Sequence, residues 1–324
     1  MSRSVLVHAV GGPEVLRLET VDVPPPGPGE LRLRQTFAGL NYIDVYYRTG
    51  VYKAPSLPFV AGQEGAGVVE ALGPGVQGFA VGDRVAYAGP MGAYAQTRVL
   101  PADRAVKLPA EIPDDVAAAM MLKGMTAQYL LQQTFAVKPG DVVLFHAAAG
   151  GVGLIACQWA KALGATVIGT VGSDAKAALA RAHGCDHTIV YGRENFVERV
   201  HEITGGKKAS VVYDGVGKDT FDGSLDCLRP RGMMVLFGQS SGKVPPFDLG
   251  LLAAKGSLFI TRPSLFAYTA SRAELEACAK SLIDVVARKV VTIPIGARYA
   301  LADVAQAHRD LEARQTTGAS VLAV

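Results

Sequence analysis

From Asp141 to Thr261 the chain alternates short β-type runs with helical stretches, and this pattern constrains the fold more than any other feature. Strands are predicted at Asp141–Phe145, Thr166–Thr170, His187–Val190, Ser210–Tyr213, Met233–Phe237 and Ser257–Thr261. Helices at Val152–Leu163, Asp174–His183, Glu194–Ile203 and Lys218–Cys227 lie between them. Parallel strands cannot be joined by a tight hairpin, so such alternation needs crossover helices and gives an α/β, doubly wound parallel sheet of six strands.

The first third reads differently. Strands at Ser4–Val10 and Leu31–Phe37 flank the breaker run Pro24–Gly29, and Gly67–Ala71, Asp83–Ala86 and Tyr94–Val99 are short runs between glycine turns. This spacing suggests a compact antiparallel barrel. A helix is expected over Pro113–Thr134 with Asp114 and Asp115 at its positive end, and an amphipathic helix over Ser271–Arg288. The 37 glycines follow the same division, with fifteen in residues 1–122, twenty in 123–267 and two in the tail.

The segment His146-Ala147-Ala148-Ala149-Gly150-Gly151-Val152-Gly153 follows the first parallel strand and opens a helix. In the frame G-x-G-x-x-G, Gly150 and Gly153 hold the second and third glycine positions, and Ala148 replaces the first. The second glycine lets backbone N–H groups approach a pyrophosphate, and the third lets helix and strand pack closely. The helix then offers its positive end to the anion. The bland alternative is a tight turn with no ligand.

An NAD site places an acid after the second strand to bind the ribose 2′-hydroxyl. Here the strand runs into Val171-Gly172-Ser173 with no acid at its tip. Ser173 and Lys176 can hold a 2′-phosphate through a hydroxyl and a point charge, which favours NADPH. The competing reading makes Lys176 a solvated helix residue and Asp174 an N-cap.

His146–Leu163, Val212-Tyr213-Asp214, Gly232–Gly238, Thr261–Leu265, Gly11–Leu16 and Asn41–Asp44 together resemble the zeta-crystallin-type quinone oxidoreductases of the zinc-independent medium-chain dehydrogenase/reductase superfamily. The resemblance implies a GroES-like antiparallel barrel domain of residues 1–122 completed by 268–324, and a Rossmann domain of residues 123–267. It implies NADPH-dependent quinone reduction by hydride transfer from the nicotinamide in an interdomain cleft. A reductase of α,β-unsaturated carbonyls is the alternative, and a nucleotide- or RNA-binding crystallin-like protein a more distant one.

Zinc-dependent members carry a Cys early in the barrel and a Gly-His-Glu later. Asn41 holds the first position and Gly62-Gln63-Glu64 the second, so neither thiolate nor imidazole is supplied and no metal is expected. Glu64 is expected to be a hydrogen-bonded structural acid, with a catalytic role the alternative. Quinones accept hydride readily, so cofactor positioning and one or two donors at the acceptor oxygen suffice. The resemblance places Asn41 beside the nicotinamide and Tyr46 and Tyr52 at the substrate, with aromatic packing the alternative for each tyrosine. It places Tyr129, Gly150, Gly151, Val152, Ser173, Lys176, Tyr191, Phe237, Gly238, Gln239, Ser240, Pro263, Ser264, Leu265 and Arg314 around the cofactor. Gly215 departs from the family pattern, where many relatives carry Ser.

Four scattered cysteines with no CxxC pair read as buried thiols of a cytoplasmic protein. A net charge of +3 with no basic stripe speaks against nucleic acid, and no apolar run is long enough for a membrane. A homodimer through the sheet edge near Ser257–Thr261 is expected from the resemblance.

Overall fold

The computed structural model describes residues 1–324. The chain divides into two compact units, residues 1–123 with 271–280 and 293–324, and residues 124–270 with 281–292. The boundary of the second contiguous segment falls inside the helix Arg272–Ala287.

The second unit holds six parallel strands in the spatial order His187–Val190, Thr166–Val171, Val142–Phe145, Ala209–Asp214, Leu228–Leu236, Phe259–Thr261. In chain order this is third, second, first, fourth, fifth, sixth, the dinucleotide-binding arrangement whose switch point lies between the first and fourth strands. The strands are nearly continuous apolar runs because helices cover both faces. Val143, Leu144, Ile168, Val211, Val212, Met234 and Val235 are all fully buried.

Predicted and observed boundaries differ where turn chemistry intervenes. The helix predicted from Lys218 starts at Phe221, because Asp214 accepts the N–H groups of Val216 and Gly217 and holds residues 215–220 as a turn. The helix predicted from Glu194 starts at Phe196, since Asn195 is its N-cap and accepts from Val197 and Glu198. The fifth strand begins at Leu228 rather than Met233, and a register irregularity near its start masks that stretch in the sequence. The predicted Pro113–Thr134 helix is α-helical over Asp114–Tyr129 and widens into a π turn over Leu130–Thr134.

The first unit carries a seven-stranded sheet and a three-stranded sheet. The long strand Glu30–Leu40 organises the larger one: Glu64–Leu72 pairs along one edge, while Thr97–Pro101 and Ala319–Ala323 share the other. All these pairs are antiparallel, and the tail adds one parallel pair, Ile295–Ala300 with Ala319–Ala323. Leu31, Leu33, Val69, Val85, Leu100 and Leu322 form its fully buried core. Cys157, Cys185, Cys227 and Cys278 are free and buried.

Candidate functional site

In the first unit, the strand Glu30–Leu40 delivers Asn41 to the start of the helix Tyr42–Arg48. Asn41 is buried, and its backbone N–H donates to Asp44 Oδ2 at 2.9 Å. Its side-chain amide donates to Glu64 Oε2 at 2.8 Å and to the Gly39 carbonyl at 3.2 Å. Glu64, wholly buried, also accepts from Lys123 Nζ at 2.8 Å and from the Leu122 N–H at 2.7 Å. Glu64 is thus the hydrogen-bonded acid expected, but its cation was not foreseen. Lys123 is the only charged residue between Asp115 and Lys138, and that isolation in an apolar helix is the signal that could have found it.

Tyr42 and Tyr46 share one helix face by their four-residue spacing, with ring centroids 5.6 Å apart. The chain then turns back so that the Tyr52 N–H donates to the Tyr46 carbonyl, placing the Tyr52 ring 5.0 Å from Tyr46 and 5.7 Å from Tyr47. The structure therefore brings Tyr46 and Tyr52 together. Arg314 follows the helix Val304–Glu312 in a left-handed conformation, φ +58°. Its charge acts on Tyr42, whose phenol is raised chiefly by burial and by Glu312 and is opposed by Arg314 and Arg48.

Behind the helix runs a buried polar chain. Arg48 Nη1 donates to His308 Nδ1 at 3.3 Å while the guanidinium clasps Glu312 at 2.7 and 2.8 Å. His308 Nε2 stands 3.4 Å from Tyr94 Oη, and Tyr94 donates to Asp44 Oδ2 at 2.8 Å. One donor per hydroxyl fixes the direction: Nδ1 of His308 must accept from Arg48, so Nε2 carries the proton toward Tyr94. A neutral ring is required, in keeping with burial and Arg48 pushing His308 down to about 3. Burial pushes Asp44 up to about 7 against the bonds from Tyr94 and Asn41, and its Oδ1 has no partner. Of this group, Asp44 lies in the Asn41–Asp44 motif that carries the resemblance, whereas nothing in the sequence pointed to Arg48, Tyr94, His308 or Glu312.

In the second unit, the turn after Phe145 carries Ala147 at φ +55° and leads to Gly150, the N-cap of the helix Gly151–Ala162. A Cβ at Gly153 would lie 2.6 Å from the carbonyls of Ala147 and Ala148, so only glycine lets the helix approach the strand end. A Cβ at Gly150 would meet only the Ala147 carbonyl, at 3.2 Å. The N–H groups of Gly151, Val152 and Gly153 open the helix without intrahelical acceptors, which is the chemistry a pyrophosphate requires.

His146 supports this turn from below. Its Nδ1 accepts from Thr170 Oγ1 at 2.9 Å and its Nε2 donates to Ser224 Oγ at 2.9 Å. Ser224 donates in turn to Asp214 at 3.0 Å. Burial lowers the pKa of His146, which suits a ring that must accept at one nitrogen.

Ser173, not Asp174, is the N-cap of the helix Asp174–Ala182, and its hydroxyl accepts from the Lys176 N–H at 3.3 Å. A Cβ at Gly172 would come within 2.9 Å of Tyr191 Oη, so Tyr191 folds over the same loop. Ser173, Lys176 and Tyr191 thus gather at the carboxyl ends of two adjacent strands. Phe237 and Gly238 both donate their N–H groups to the Asp214 carbonyl, and Ser240 donates to that of Gly215, zipping residues 237–240 along the fourth strand's exit. A Cβ at Gly215 would sit 3.0 Å from the Phe237 ring, so the departure from Ser makes room for that ring. Pro263, Ser264 and Leu265 lead into the short helix Leu265–Tyr268. Tyr268 stacks on Tyr129 at 4.6 Å and 14°, which brings Tyr129 to this segment.

Residues 27–110 match the alcohol dehydrogenase GroES-like domain family, and residues 151–279 match the zinc-binding dehydrogenase family. The chain is 54% identical to a quinone oxidoreductase of Pseudomonas aeruginosa over 99% of both chains. It is 49% identical to a 2-haloacrylate reductase of Burkholderia sp., again over 99% of each. The solved Escherichia coli quinone oxidoreductase complexed with NADPH superposes with a TM-score of 0.98 at 48% identity over the whole of both chains. The fold and these relationships define the medium-chain dehydrogenase/reductase class, and the chain belongs to its quinone oxidoreductase family.

The class includes zinc enzymes, but the residues here do not fit zinc. Asn41 and Gln63 are amides, and the Glu64 carboxylate is taken up by Lys123, Asn41 and the Leu122 N–H.

Proposed function

We propose that this chain is an NADPH-dependent oxidoreductase that reduces quinones without a metal. The full-length relationship to quinone oxidoreductases carries the reading, and the glycine turn Gly150–Gly153 at a helix N-terminus supports it physically. Bound NADPH supplies a hydride from its nicotinamide ring.

The chain's own residues do the rest. In this reading Gly150, whose own N–H is bonded to the Ala147 carbonyl, lets the pyrophosphate approach closely, Gly151 and Val152 receive it through backbone N–H groups, and Ser173, Lys176 and Tyr191 receive the 2′-phosphate end. Tyr129, Phe237, Gly238, Gln239, Ser240, Pro263, Ser264 and Leu265, all in the second unit, complete its cofactor site. Asn41, held rigid by Glu64, borders the reacting atoms, and Tyr46 or Tyr52 gives a proton to the reduced oxygen. Fluorescence titration with NADPH and NADH tests the cofactor assignment: Lys176→Ala weakens NADPH far more than NADH, and equal losses for both refute it.

The relative named 2-haloacrylate reductase favours a second reading, reduction of an α,β-unsaturated carbonyl. Turnover on naphthoquinone against an enone of similar size separates the two.

A homodimer along the edge strand Phe259–Thr261 accompanies this reading, supported by the exposure of Phe259 at 56% and Leu249 at 70%. Four buried free thiols support a reducing, cytoplasmic setting. No helix is long and apolar enough to cross a membrane.

A further inference from the structure

The loop after the second strand contains one acid, Asp174, in the first turn of the helix Asp174–Ala182. It directly follows Ser173 and lies two residues before Lys176, the pair assigned above to the 2′-phosphate. A free carboxylate there is the wrong charge for a phosphate and the right one for a ribose hydroxyl. The structure shows that it is not free. Arg193 Nη1 donates to Asp174 Oδ2 at 2.8 Å, and Nη2 donates to Oδ1, a two-armed pair. The pairing holds the Asp174 carboxyl below the usual range and raises Arg193 in return.

The strands place the two partners side by side. Arg193 lies three residues beyond His187–Val190, whose last residue is paired with Val171 at the end of Thr166–Val171. Both side chains are exposed, so the hydrophobic core does not need the pair. An exposed pair of this kind adds little stability. What it changes is local charge: with Arg193 present, Asp174 is cancelled and Lys176 leaves the loop net cationic.

We propose that Arg193 is a cofactor-specificity residue, which cancels Asp174 and so lets this loop select the 2′-phosphorylated dinucleotide over its unphosphorylated counterpart. The inference rests on the 2′-phosphate reading of Ser173, Lys176 and Tyr191. It acts through Asp174, so Arg193 need not touch the cofactor.

A double-mutant cycle read by dissociation constants for NADPH and NADH at low salt tests it. Arg193→Ala is expected to weaken NADPH about fivefold and to leave NADH unchanged or tighter, with the effect shrinking in high salt. Asp174→Asn in the Arg193→Ala background is expected to restore NADPH binding to within about twofold of the parent. Equal losses for both dinucleotides, no loss for either, or no rescue by Asp174→Asn overturns the proposal. Lys176→Ala in the same titration keeps the two readings distinguishable. If that variant discriminates and the cycle fails, only the role of Arg193 falls. If that variant does not discriminate, the 2′-phosphate site itself falls, and this proposal with it.

Discussion

The Tyr94 hydroxyl donates to Asp44 Oδ2 at 2.8 Å, deep within the first unit. The Tyr94 hydroxyl oxygen also faces His308 Nε2, so one phenol joins an acid held at about 7 to an imidazole held at about 3.

Stability against pH should expose these two groups with opposite signs. Asp44 binds its proton more tightly folded than unfolded, so its contribution is full in acid and is lost as pH rises from about 4 to about 7. His308 binds its proton less tightly when folded, so its contribution is full above about 6.5 and is lost as pH falls toward about 3. Between about 4 and 6.5 the slopes oppose each other. Relative to the parent, Asp44→Asn should gain stability with rising pH by up to about 1.4 kcal/mol per unit, and His308→Gln should gain with falling pH. Urea titrations across that range measure both, and differences independent of pH would contradict the assignment.

The Lys123–Glu64 pair is buried on both sides, at 6% and 0% side-chain exposure. Lys123→Met leaves a carboxylate uncompensated and should cost about 3–5 kcal/mol. Adding Glu64→Gln should recover much of the loss, because the charge goes and the single amide oxygen still accepts from the Leu122 N–H in place of Oε1, although the bond from the Asn41 amide is given up. Chemical denaturation of the three variants decides it. Additive losses would mean that the ion pair is not a unit.

Gly153→Ala drives a methyl group into two backbone carbonyls and should both destabilise the second unit by about 1–3 kcal/mol and weaken NADPH binding. Gly150→Ala meets one carbonyl at 3.2 Å and should cost less stability while still weakening NADPH. Calorimetry with and without cofactor separates these effects. A Gly150→Ala variant with unchanged affinity would remove this turn from the site.

Tyr46→Phe and Tyr52→Phe keep the ring cluster and delete one hydroxyl each. The variant that removes the proton donor should lower turnover about 100-fold or more with little change in NADPH affinity. If neither lowers turnover, the tyrosines only pack and the proton comes from water.

Much of this is legible in the sequence. Strand and helix alternation from Asp141 onward announces a parallel sheet because each element buries its own apolar run locally. The Gly150–Gly153 turn was legible because a missing Cβ is written directly in the sequence. Boundaries failed where a side chain holds backbone groups outside the helix, as Asp214 does at Val216 and Gly217. The polar chain from Glu312 to Asp44 was illegible because its members are joined across more than 200 residues by strand pairing that periodicity does not specify. Asp174 was visible as an acid near the cofactor loop, yet only the fold shows Arg193 cancelling it.

The most direct test of quinone reduction mixes the purified chain with benzoquinone and NADPH deuterated at the transferred position, and follows loss of the reduced nicotinamide absorbance. Quinone-dependent loss, one dinucleotide per quinone, slowed by deuterium and unaffected by a metal chelator, is the expected result. Absence of quinone-dependent loss, or its abolition by the chelator with recovery on adding zinc, would contradict metal-free quinone reduction by this chain.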